Sequence, residues 1–386
     1  MSGSSASKTL VVSPSKTTAP VSAQIVQVAK LHKVSPIKQL RESMALRFGA
    51  NKLASNEYYA AQVYRPELSR AEKKQFIGER RNKTLNQSMS PRDVARISDF
   101  LQDKVLYISL LNQLGVASTK TQAVVSVNRG FGSLRTLRTQ ADIEGFLLDH
   151  AIYPLFGKPV EGSKSVGSAL FKASDKSSKT ITFGNGDTVD ISAVAAEILV
   201  DYPRGYVFQD AVAQHASLSK LAGPALGTVR VVTVYRSDGP QVLYASWKIP
   251  SPEAMSDNFW QSGSMLADID DKTGQVRRVR RGQGIDTEIL ETHPVSGLGF
   301  AGFQIPDWQK VLDLTLEAHR ISPGNGLLGW DIGLSKNGPV IVECNTNPLH
   351  TLYQLATGEG LLNDRFAPVF EGIAKHKAAM LAAHKA

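Results

Sequence analysis

Three side chains in the last sixth of the sequence, Asp331, Glu343 and Asn345, carry the oxygen atoms that a divalent cation needs. Hard cations such as magnesium prefer oxygen ligands, commonly one or two carboxylates together with the phosphates of a nucleotide. The stretch that contains these residues is therefore predicted to hold a metal–nucleotide site. An exposed hairpin with incidental acids is the alternative interpretation.

Two predicted strands must position these oxygens. Leu327–Leu334 and Pro339–Cys344 are apolar and rich in branched side chains, and the turn sequence Ser-Lys-Asn-Gly separates them. Side chains alternate between the two faces of a strand. Glu343 and Asn345 are therefore expected on one face, with Cys344 on the other.

The length of the turn decides which residue faces Asp331. A two-residue loop would pair Ser335 with Gly338 and would set Asp331 opposite Val342. A three-residue loop would place Gly338 in the left-handed conformation that such hairpins need, and would set Asp331 opposite Glu343. The three-residue loop is favoured. Two facing carboxylates repel each other, and a bound cation would remove that repulsion.

Composition limits the class of protein. The chain has 386 residues, 42% of them hydrophobic, and a net charge of +9. No apolar run reaches the roughly 18 residues of a membrane-spanning helix, and no signal peptide is visible, so no membrane span is expected. The single Cys344 excludes an intramolecular disulfide and fits a reducing cytoplasm. The basic residues are mostly dispersed, so a nucleic-acid partner is not favoured.

The order of elements favours an α+β fold. The sequence predicts a helix from Ser90 to about Leu114, and a second helix from Asp307 to His319 with Asp307 as its cap. Hairpins dominate from Thr228 onward. This mixture of helices and antiparallel hairpins is typical of α+β proteins rather than of a doubly wound parallel sheet.

A lysine and a small-residue loop form a second motif. Lys158 ends a predicted strand and precedes Gly162-Ser163-Lys164-Ser165-Val166-Gly167. Glycine and serine let backbone N–H groups approach phosphate oxygens, and lysine supplies compensating charge. The loop lacks the ending and the following helix of a Walker motif. Downstream, Gln209 ends a strand that could contact an adenine ring.

Together these features resemble the ATP-grasp superfamily, and more narrowly its branch associated with sugar transfer and polysaccharide gene clusters. The resemblance runs from about Asp103 to Leu362. It implies an ATP-grasp fold, in which two α+β lobes grip ATP, behind a helical N-terminal extension. The implied organisation is a disordered tail (1–22), a helical region (23–95) and a catalytic region (96–386), with a smaller ATP-covering lobe (151–210) and a larger metal-binding lobe (211–386).

The resemblance also implies roles for individual residues. Lys104 and Lys158 match the phosphate-contacting lysines; Gly162, Ser163, Lys164, Ser165 and Gly167 match the loop that closes over the phosphates; Gln209 and His215 match positions near adenine and ribose; and Asp331, Glu343 and Asn345 match the Mg²⁺ ligands. Amino-acid ligases of the superfamily carry an arginine two residues before the first metal-binding acid. This chain has Gly329 there, and Arg230 is the candidate catalytic replacement.

The implied activity is an ATP- and Mg²⁺-dependent ligase that joins a small-molecule carboxylate to an amine or other nucleophile through an acylphosphate. Such an enzyme releases ADP and phosphate, and it would act in polysaccharide or secondary-metabolite biosynthesis. A kinase of the same fold is the alternative. A non-catalytic nucleotide-binding or nucleic-acid-binding protein is less favoured, and a homodimer is left open.

Overall fold

Two seven-stranded sheets organise the chain. The computed structural model describes residue 10 and residues 20–162, 165–251 and 254–383. Its two sheets have the strand orders β2-β1-β7-β3-β4-β5-β6 and β12-β11-β10-β9-β8-β13-β14, with strands numbered along the chain. Almost every neighbouring pair is antiparallel, and β1–β2 is the parallel exception. The predicted α+β class is confirmed.

Seven helices precede the first strand in the described ranges. They are α1 (Val21–His32), α2 (Pro36–Phe48), α3 (Ser55–Ala60), α4 (Arg70–Lys73), α5 (Glu79–Met89), α6 (Ser98–Gln102) and α7 (Lys104–Gln113). The predicted continuous helix from Ser90 to Leu114 is wrong. Turns occupy its first part, and the Asp103 carboxylate accepts hydrogen bonds from the N–H groups of Val105 and Leu106, at 3.0 and 3.1 Å, which starts α7 afresh.

The smaller sheet comprises the first seven strands. They are β1 (Thr121–Val125), β2 (Arg135–Leu137), β3 (Leu155–Pro159), β4 (Ala169–Asp175), β5 (Thr180–Phe183), β6 (Thr188–Asp190) and β7 (Tyr206–Asp210), with α8 (Gln140–Gly145) and α9 (Ile191–Asp201) between them. Buried Phe171, Phe183 and Phe208 pack beneath α9. This sheet therefore includes β1 and β2, which lie outside the predicted lobe 151–210.

The larger sheet carries the predicted metal ligands. It contains β8 (Val229–Arg236), β9 (Gly239–Ile249), β10 (Met265–Ile269), β11 (Val276–Arg281), β12 (Glu288–Leu290), β13 (Leu327–Ser335) and β14 (Gly338–Asn345), with α10 (Ala216–Ala222), α11 (Trp308–Arg320), α12 (Thr351–Thr357) and α13 (Ala367–Ala383) around it. Asp307 precedes α11 but does not cap it with its side chain. Its φ is 52°, and its carboxylate accepts from Lys310 instead.

The β13–β14 hairpin combines the two predicted registers. Ser335 pairs with Gly338, so the turn is the two-residue loop and the predicted three-residue loop is wrong. Asp331 nevertheless pairs with Glu343, because the register shifts between Asp331 and Ile332. The extra residue on β14 is Val342, which makes the shift a β-bulge. The predicted facing of the two carboxylates is confirmed, although its cause is the bulge.

The N-terminal helices are fastened to the chain just after β14. Asn86 Nδ2 on α5 donates to Asn347 Oδ1 and to the Pro348 carbonyl, at 2.8 and 3.0 Å. Asn82 accepts from the His350 backbone N–H at 2.8 Å. Helix α5 therefore fixes the exit of the strand that bears Glu343. Across the described ranges, no helix has the length and apolar character needed to cross a bilayer.

Candidate functional site

A cavity of about 680 Å³ is lined by both sheets and by the N-terminal helices. It brings together most of the residues that the sequence singled out. Those on its lining are Lys104, Lys158, Gly162, Ser165, Gln209, Arg230, Asp331, Glu343 and Asn345. Residues as far apart in sequence as Lys104 and Asn345 thus share one space.

Asp331 is held by two cations at the floor of the cavity. The Nε and Nη2 atoms of Arg230 donate to its two carboxylate oxygens, at 2.6 and 2.9 Å, and Lys248 Nζ lies 3.2 Å from Oδ1. Burial would raise the pKa of Asp331, but Arg230 and Lys248 outweigh it and hold the pKa well below its usual range. Burial likewise opposes the charge on Arg230, yet Asp331 raises its pKa. Asp331 is therefore ionised.

Lys248 is a site residue that sequence reasoning missed. Its ammonium bridges Asp331 and Asp257, with 2.8 Å to the latter, and Thr228 donates to the same Asp257 carboxylate. Desolvation lowers the pKa of Lys248, but the two carboxylates raise it overall. The available signal was the polar alternation of Ser246 and Lys248 inside the apolar strand β9. That alternation puts both on the face that carries Arg230, because Arg230 pairs with Ser246.

The two predicted phosphate-contacting lysines both contact β14, the second strand of the hairpin. Lys158 Nζ donates to the Val342 carbonyl at 3.1 Å, so the bulge itself supplies an acceptor. Lys104 Nζ donates to the Val160 carbonyl at 3.2 Å and lies 3.6 Å from Glu343. Burial lowers the pKa of Lys158 to about 8, although Glu343 opposes the shift. Such lysines suit phosphate oxygens, which would supply the missing counter-charge.

The oxygen donors fit a cation that is shared with a nucleotide. Asp331 and Glu343 face each other, and Asn345 shares the Glu343 face of β14. The buried Asn345 Nδ2 has no hydrogen-bond partner among the described residues. Within the same ranges, no three His, Cys, Asp or Glu side chains form a metal-binding group by themselves. Magnesium commonly takes one or two carboxylates plus substrate phosphates, and these residues fit that arrangement.

The local charge favours an anionic complex over a bare cation. The basic groups that contact the hairpin or its ion-pair partners are Lys104, Lys158, Arg230 and Lys248, and the acidic groups are Asp257, Asp331 and Glu343. Lys172, Glu79 and Asp210 also line the cavity. Among the groups in contact with the hairpin the basic side chains outnumber the acids by one, so the local charge there is slightly positive. A nucleotide–magnesium complex is negative overall and is attracted, whereas free Mg²⁺ is not.

The other end of the cavity suits a flat aromatic base. Phe156, Leu170, Val212 and Leu226 line it with apolar surface. Gln209 is buried there, and its Nε2 has no partner among the described residues. A buried amide donor without a partner is costly, and a ring nitrogen of a bound base would satisfy it. The geometry therefore supports the predicted position of Gln209 near adenine.

The predicted phosphate loop is only partly described. Gly162 and Ser165 line the cavity, whereas Ser163 and Lys164 lie outside the described residues. Gly167 does not line the cavity within these ranges. Its φ is +78°, and a Cβ there would clash with the Tyr202 ring. Close packing therefore requires glycine at this position, and the contact of Gly167 with a nucleotide stays a prediction.

His215, which the sequence singled out, is not on the described cavity lining, and neither is His293. His215 precedes α10, and its Nδ1 accepts from the Ser217 backbone N–H at 3.3 Å. The predicted contact of His215 with ribose has no support in this geometry. His293 is buried, and its Nδ1 accepts from the backbone N–H groups of Val295 and Ser296. Both rings organise local turns.

Comparison with protein families decides the assignment. The family model described as sugar-transfer associated ATP-grasp matches residues 80–367, about three quarters of the chain. The chain belongs to this family. Its two-sheet α+β architecture is the ATP-grasp fold, and family membership implies the use of ATP. Comparison with curated proteins returned no match.

Solved ATP-grasp structures share the fold at low sequence identity. The D-alanine–D-alanine ligase from Helicobacter pylori is 10% identical, with 75% of this chain and 69% of that one covered and a TM-score of 0.42. The Coxiella burnetii enzyme is 9% identical, with coverage of 74% and 60% and a TM-score of 0.41. An L-amino acid ligase from Bacillus licheniformis is 13% identical, with coverage of 64% and 41% and a TM-score of 0.34. This ATP-grasp chain thus spans about two fifths of the last enzyme's length.

One departure from the amino-acid ligases has a structural cause. The position two residues before Asp331 is Gly329, where a Cβ would lie 2.6 Å from Pro348 Cβ and 3.6 Å from Arg230 Cδ. Neither an arginine nor any other side chain fits there without displacing Pro348. Arg230 reaches the same face from the neighbouring strand β8, because it pairs directly with Asp331. A guanidinium is therefore present, but it is supplied by a different strand.

Cys344 occupies the strand face that the sequence predicts. It lies on the face of β14 away from the carboxylates and is buried beside Tyr107. Burial raises the pKa of its thiol, so the thiolate that a nucleophile requires is disfavoured.

Proposed function

We propose that this ATP-grasp protein is an ATP- and Mg²⁺-dependent ligase that joins a carboxylate to an amine or other nucleophile. One observation carries the proposal. Lys104 and Lys158 meet the Asp331–Glu343 hairpin in a single cavity, with Lys158 bonded to the bulge carbonyl and Lys104 within 3.6 Å of Glu343. Two phosphate-suited cations beside three oxygen donors form the arrangement that phosphoryl transfer needs.

The proposed reaction has two steps. A carboxylate oxygen of the substrate forms a bond to the γ-phosphorus of ATP, the bond to the β–γ bridging oxygen breaks, and ADP leaves. The amine then forms a bond to the acyl carbon of the acylphosphate, the carbon–oxygen bond to phosphate breaks, and the amine loses a proton. ADP, inorganic phosphate and the amide are the products.

The chain's own residues serve this chemistry through charge and position. Lys104 and Lys158 would bind the phosphate oxygens and hold the γ-phosphate beside the hairpin. Asp331, Glu343 and Asn345 would hold Mg²⁺, which when bound neutralises charge on the phosphates. Lys248 bridges Asp331 and Asp257 and, together with Arg230, holds the pKa of Asp331 low, so the first metal ligand is already ionised and in place before ATP binds.

Arg230 is proposed to stabilise the tetrahedral intermediate of the second step. Its Nε and Nη2 atoms are committed to Asp331, and its Nη1 takes no part in that pair. Pairing with Asp331 fixes the plane of the guanidinium before the substrate arrives. A donor that is already oriented stabilises developing negative charge without reorganisation.

The acceptor is proposed to enter at the end of the cavity bounded by α5. Glu79, the first residue of α5, lies on the lining with Phe259, Trp260 and Leu352. Glu79 is three and seven residues before Asn82 and Asn86, which contact the segment after β14, so all three lie on one helix face. A carboxylate at this end would attract a protonated amine.

Product analysis with a substrate panel tests the proposal. Purified protein is incubated with ATP, Mg²⁺ and pairs drawn from amino acids, other small carboxylic acids and amines, and ADP, phosphate and amide are quantified. A ligase forms all three in equal amounts, and only when both substrates are present. ADP with a phosphorylated acceptor and no free phosphate would identify a kinase, and no turnover with any pair would leave the binding-protein hypothesis.

A further inference from the structure

Helix α2 has an inverted distribution of polar and apolar residues. Its inward side presents Gln39 and Ser43, which are buried with Leu46. Gln39 Nε2 donates to the Val34 carbonyl at 2.7 Å, and Ser43 Oγ lies 3.0 Å from Ser55 Oγ. Polar groups on the inner side of a surface helix are unusual, and here hydrogen bonds satisfy them.

The outward side of α2 is apolar. Ile37, Leu40, Met44 and Phe48 are spaced by three, four and four residues, which places them in one stripe along the helix. Their side chains are between 48% and 67% exposed. We refer to these four residues as the outer α2 face. Exposed apolar residues scattered singly are ordinary, but a continuous stripe of this kind marks an interaction surface.

Positive charge surrounds the outer α2 face. Lys33, Lys38, Arg41 and Arg47 are all exposed, and they lie before the helix or on both sides of the stripe. The one acid between residues 20 and 52 is Glu42, which points inward, where Tyr58 and Lys73 each donate to it at 2.8 Å. The charges around the outer face are therefore of one sign.

We propose that the outer α2 face docks on an anionic membrane surface. An apolar stripe flanked by Lys and Arg is the pattern with which an interfacial helix inserts its apolar side and attracts anionic headgroups. A second copy of the chain fits less well, because a symmetric contact would bring the same basic residues against each other. The inference is independent of the chemistry in the cavity, which lies on other elements.

Vesicle co-sedimentation of the full chain tests this proposal. Binding to vesicles of phosphatidylcholine and phosphatidylglycerol should exceed binding to phosphatidylcholine alone by about tenfold or more, and should weaken as salt is raised. The variant Leu40→Ser/Met44→Ser should bind at least about tenfold more weakly. The variant Lys38→Gln/Arg41→Gln should lose about fivefold for each charge removed.

Controls distinguish binding by the outer α2 face from non-specific binding by exposed apolar residues. The variant Ile152→Ser/Val200→Ser removes two apolar residues of the smaller lobe that are more exposed than Leu40 and Met44, and it should bind within about twofold of the unchanged protein. ATP turnover and circular dichroism should stay unchanged in every variant. No binding to the anionic vesicles, or equal loss in the control variant, would overturn the proposal.

The oligomeric state provides an independent outcome. Sedimentation velocity without vesicles should show the same species for the unchanged protein and for Leu40→Ser/Met44→Ser. A dimer that this variant abolishes would assign the outer α2 face to a second copy and would overturn the membrane proposal.

Discussion

Asp331 and Glu343 face each other across β13 and β14 because Val342 is an extra residue on one of the two strands. The two-residue turn alone would set Asp331 opposite Val342. The bulge moves Glu343 into place, and the Val342 carbonyl at the bulge accepts a hydrogen bond from Lys158 at 3.1 Å. A single irregularity therefore aligns the proposed metal ligands and links them to the proposed phosphate site.

Replacing Asp331 should damage the fold as well as the activity. Asp331→Asn leaves the buried Arg230 without its carboxylate partner and leaves Lys248 with Asp257 alone. Breaking a buried pair in this way costs about 3–5 kcal/mol. Turnover should be lost. Urea denaturation and ADP release measure the two effects. Glu343→Gln is the matched control, because Glu343 is partly exposed and should lose turnover with little change in the free energy of unfolding. Equal stability of both variants would contradict the role of the Arg230–Asp331 pair.

Adding a methyl group at Gly329 should destabilise the protein. Gly329→Ala would place a Cβ 2.6 Å from Pro348 Cβ, and overpacking of this kind costs about 1–3 kcal/mol. Thermal and urea unfolding measure the loss. Gly145→Ala is the control, because nothing lies within 4 Å of the added Cβ there. If both variants unfold alike, Pro348 is not what excludes a side chain from position 329.

Removing the charge of Glu79 should affect the acceptor alone. Glu79→Gln is expected to raise KM for a cationic amine by about tenfold while KM for ATP stays within about twofold, because Glu79 belongs to α5 whereas Gln209 belongs to β7 of the smaller sheet. Steady-state kinetics with an active substrate pair measures both constants. Glu371→Gln, on the exposed surface of α13, serves as the control. A parallel rise in KM for ATP would contradict the assignment of that end.

Acid should destabilise the fold through His319. This ring is fully buried, its Nδ1 faces Thr233 at 2.7 Å, and its Nε2 faces the Asn325 carbonyl at 2.9 Å. Burial lowers its pKa from 6.5 to about 4. Because the unfolded chain takes up a proton first as pH falls, the stability present above pH 6.5 declines between 6.5 and about 4.

The expected size of this effect is about 2 kcal/mol between pH 7 and pH 5. His350, whose pKa is lowered by burial to about 3, should add to the same decline. Urea denaturation across this pH range measures it. In His319→Gln the free energy of unfolding should decline less steeply with falling pH, because the contribution of His319 is removed. This should hold whatever the stability of the variant at pH 7. An unchanged slope in that variant would contradict the assignment.

Much of the site was predictable from local sequence. The acids and the turn of the β13–β14 hairpin lie within 15 residues, so their mutual placement depended on one register. Lys248 could not be placed in this way, because its role depends on the order of β8, β9 and β13 in the sheet. The predicted three-residue loop was wrong because a two-residue turn combined with a bulge gives the same pairing of Asp331 with Glu343 as a three-residue turn does. Local pattern cannot distinguish them.

Two further features could not be predicted from the sequence pattern, because polar side chains there form hydrogen bonds with nearby backbone N–H groups. The Ser90–Leu114 segment reads as one helix, but the Asp103 carboxylate bonds to the N–H groups that would continue it. His215 lies in a polar segment that suits a ligand contact, yet its ring caps α10. In both cases a polar side chain accepts hydrogen bonds from neighbouring backbone N–H groups, and only the folded structure shows that it does.

The central claim is that Asp331, Glu343 and Asn345 bind Mg²⁺ together with the phosphates of ATP. Calorimetric titration of ATP into the protein, with Mg²⁺ and then with a chelator, tests it most directly. We predict binding that weakens by about tenfold or more when Mg²⁺ is removed or in Glu343→Gln, and no measurable heat from Mg²⁺ alone. Equal ATP affinity with and without Mg²⁺, or unchanged in Glu343→Gln, would contradict the account.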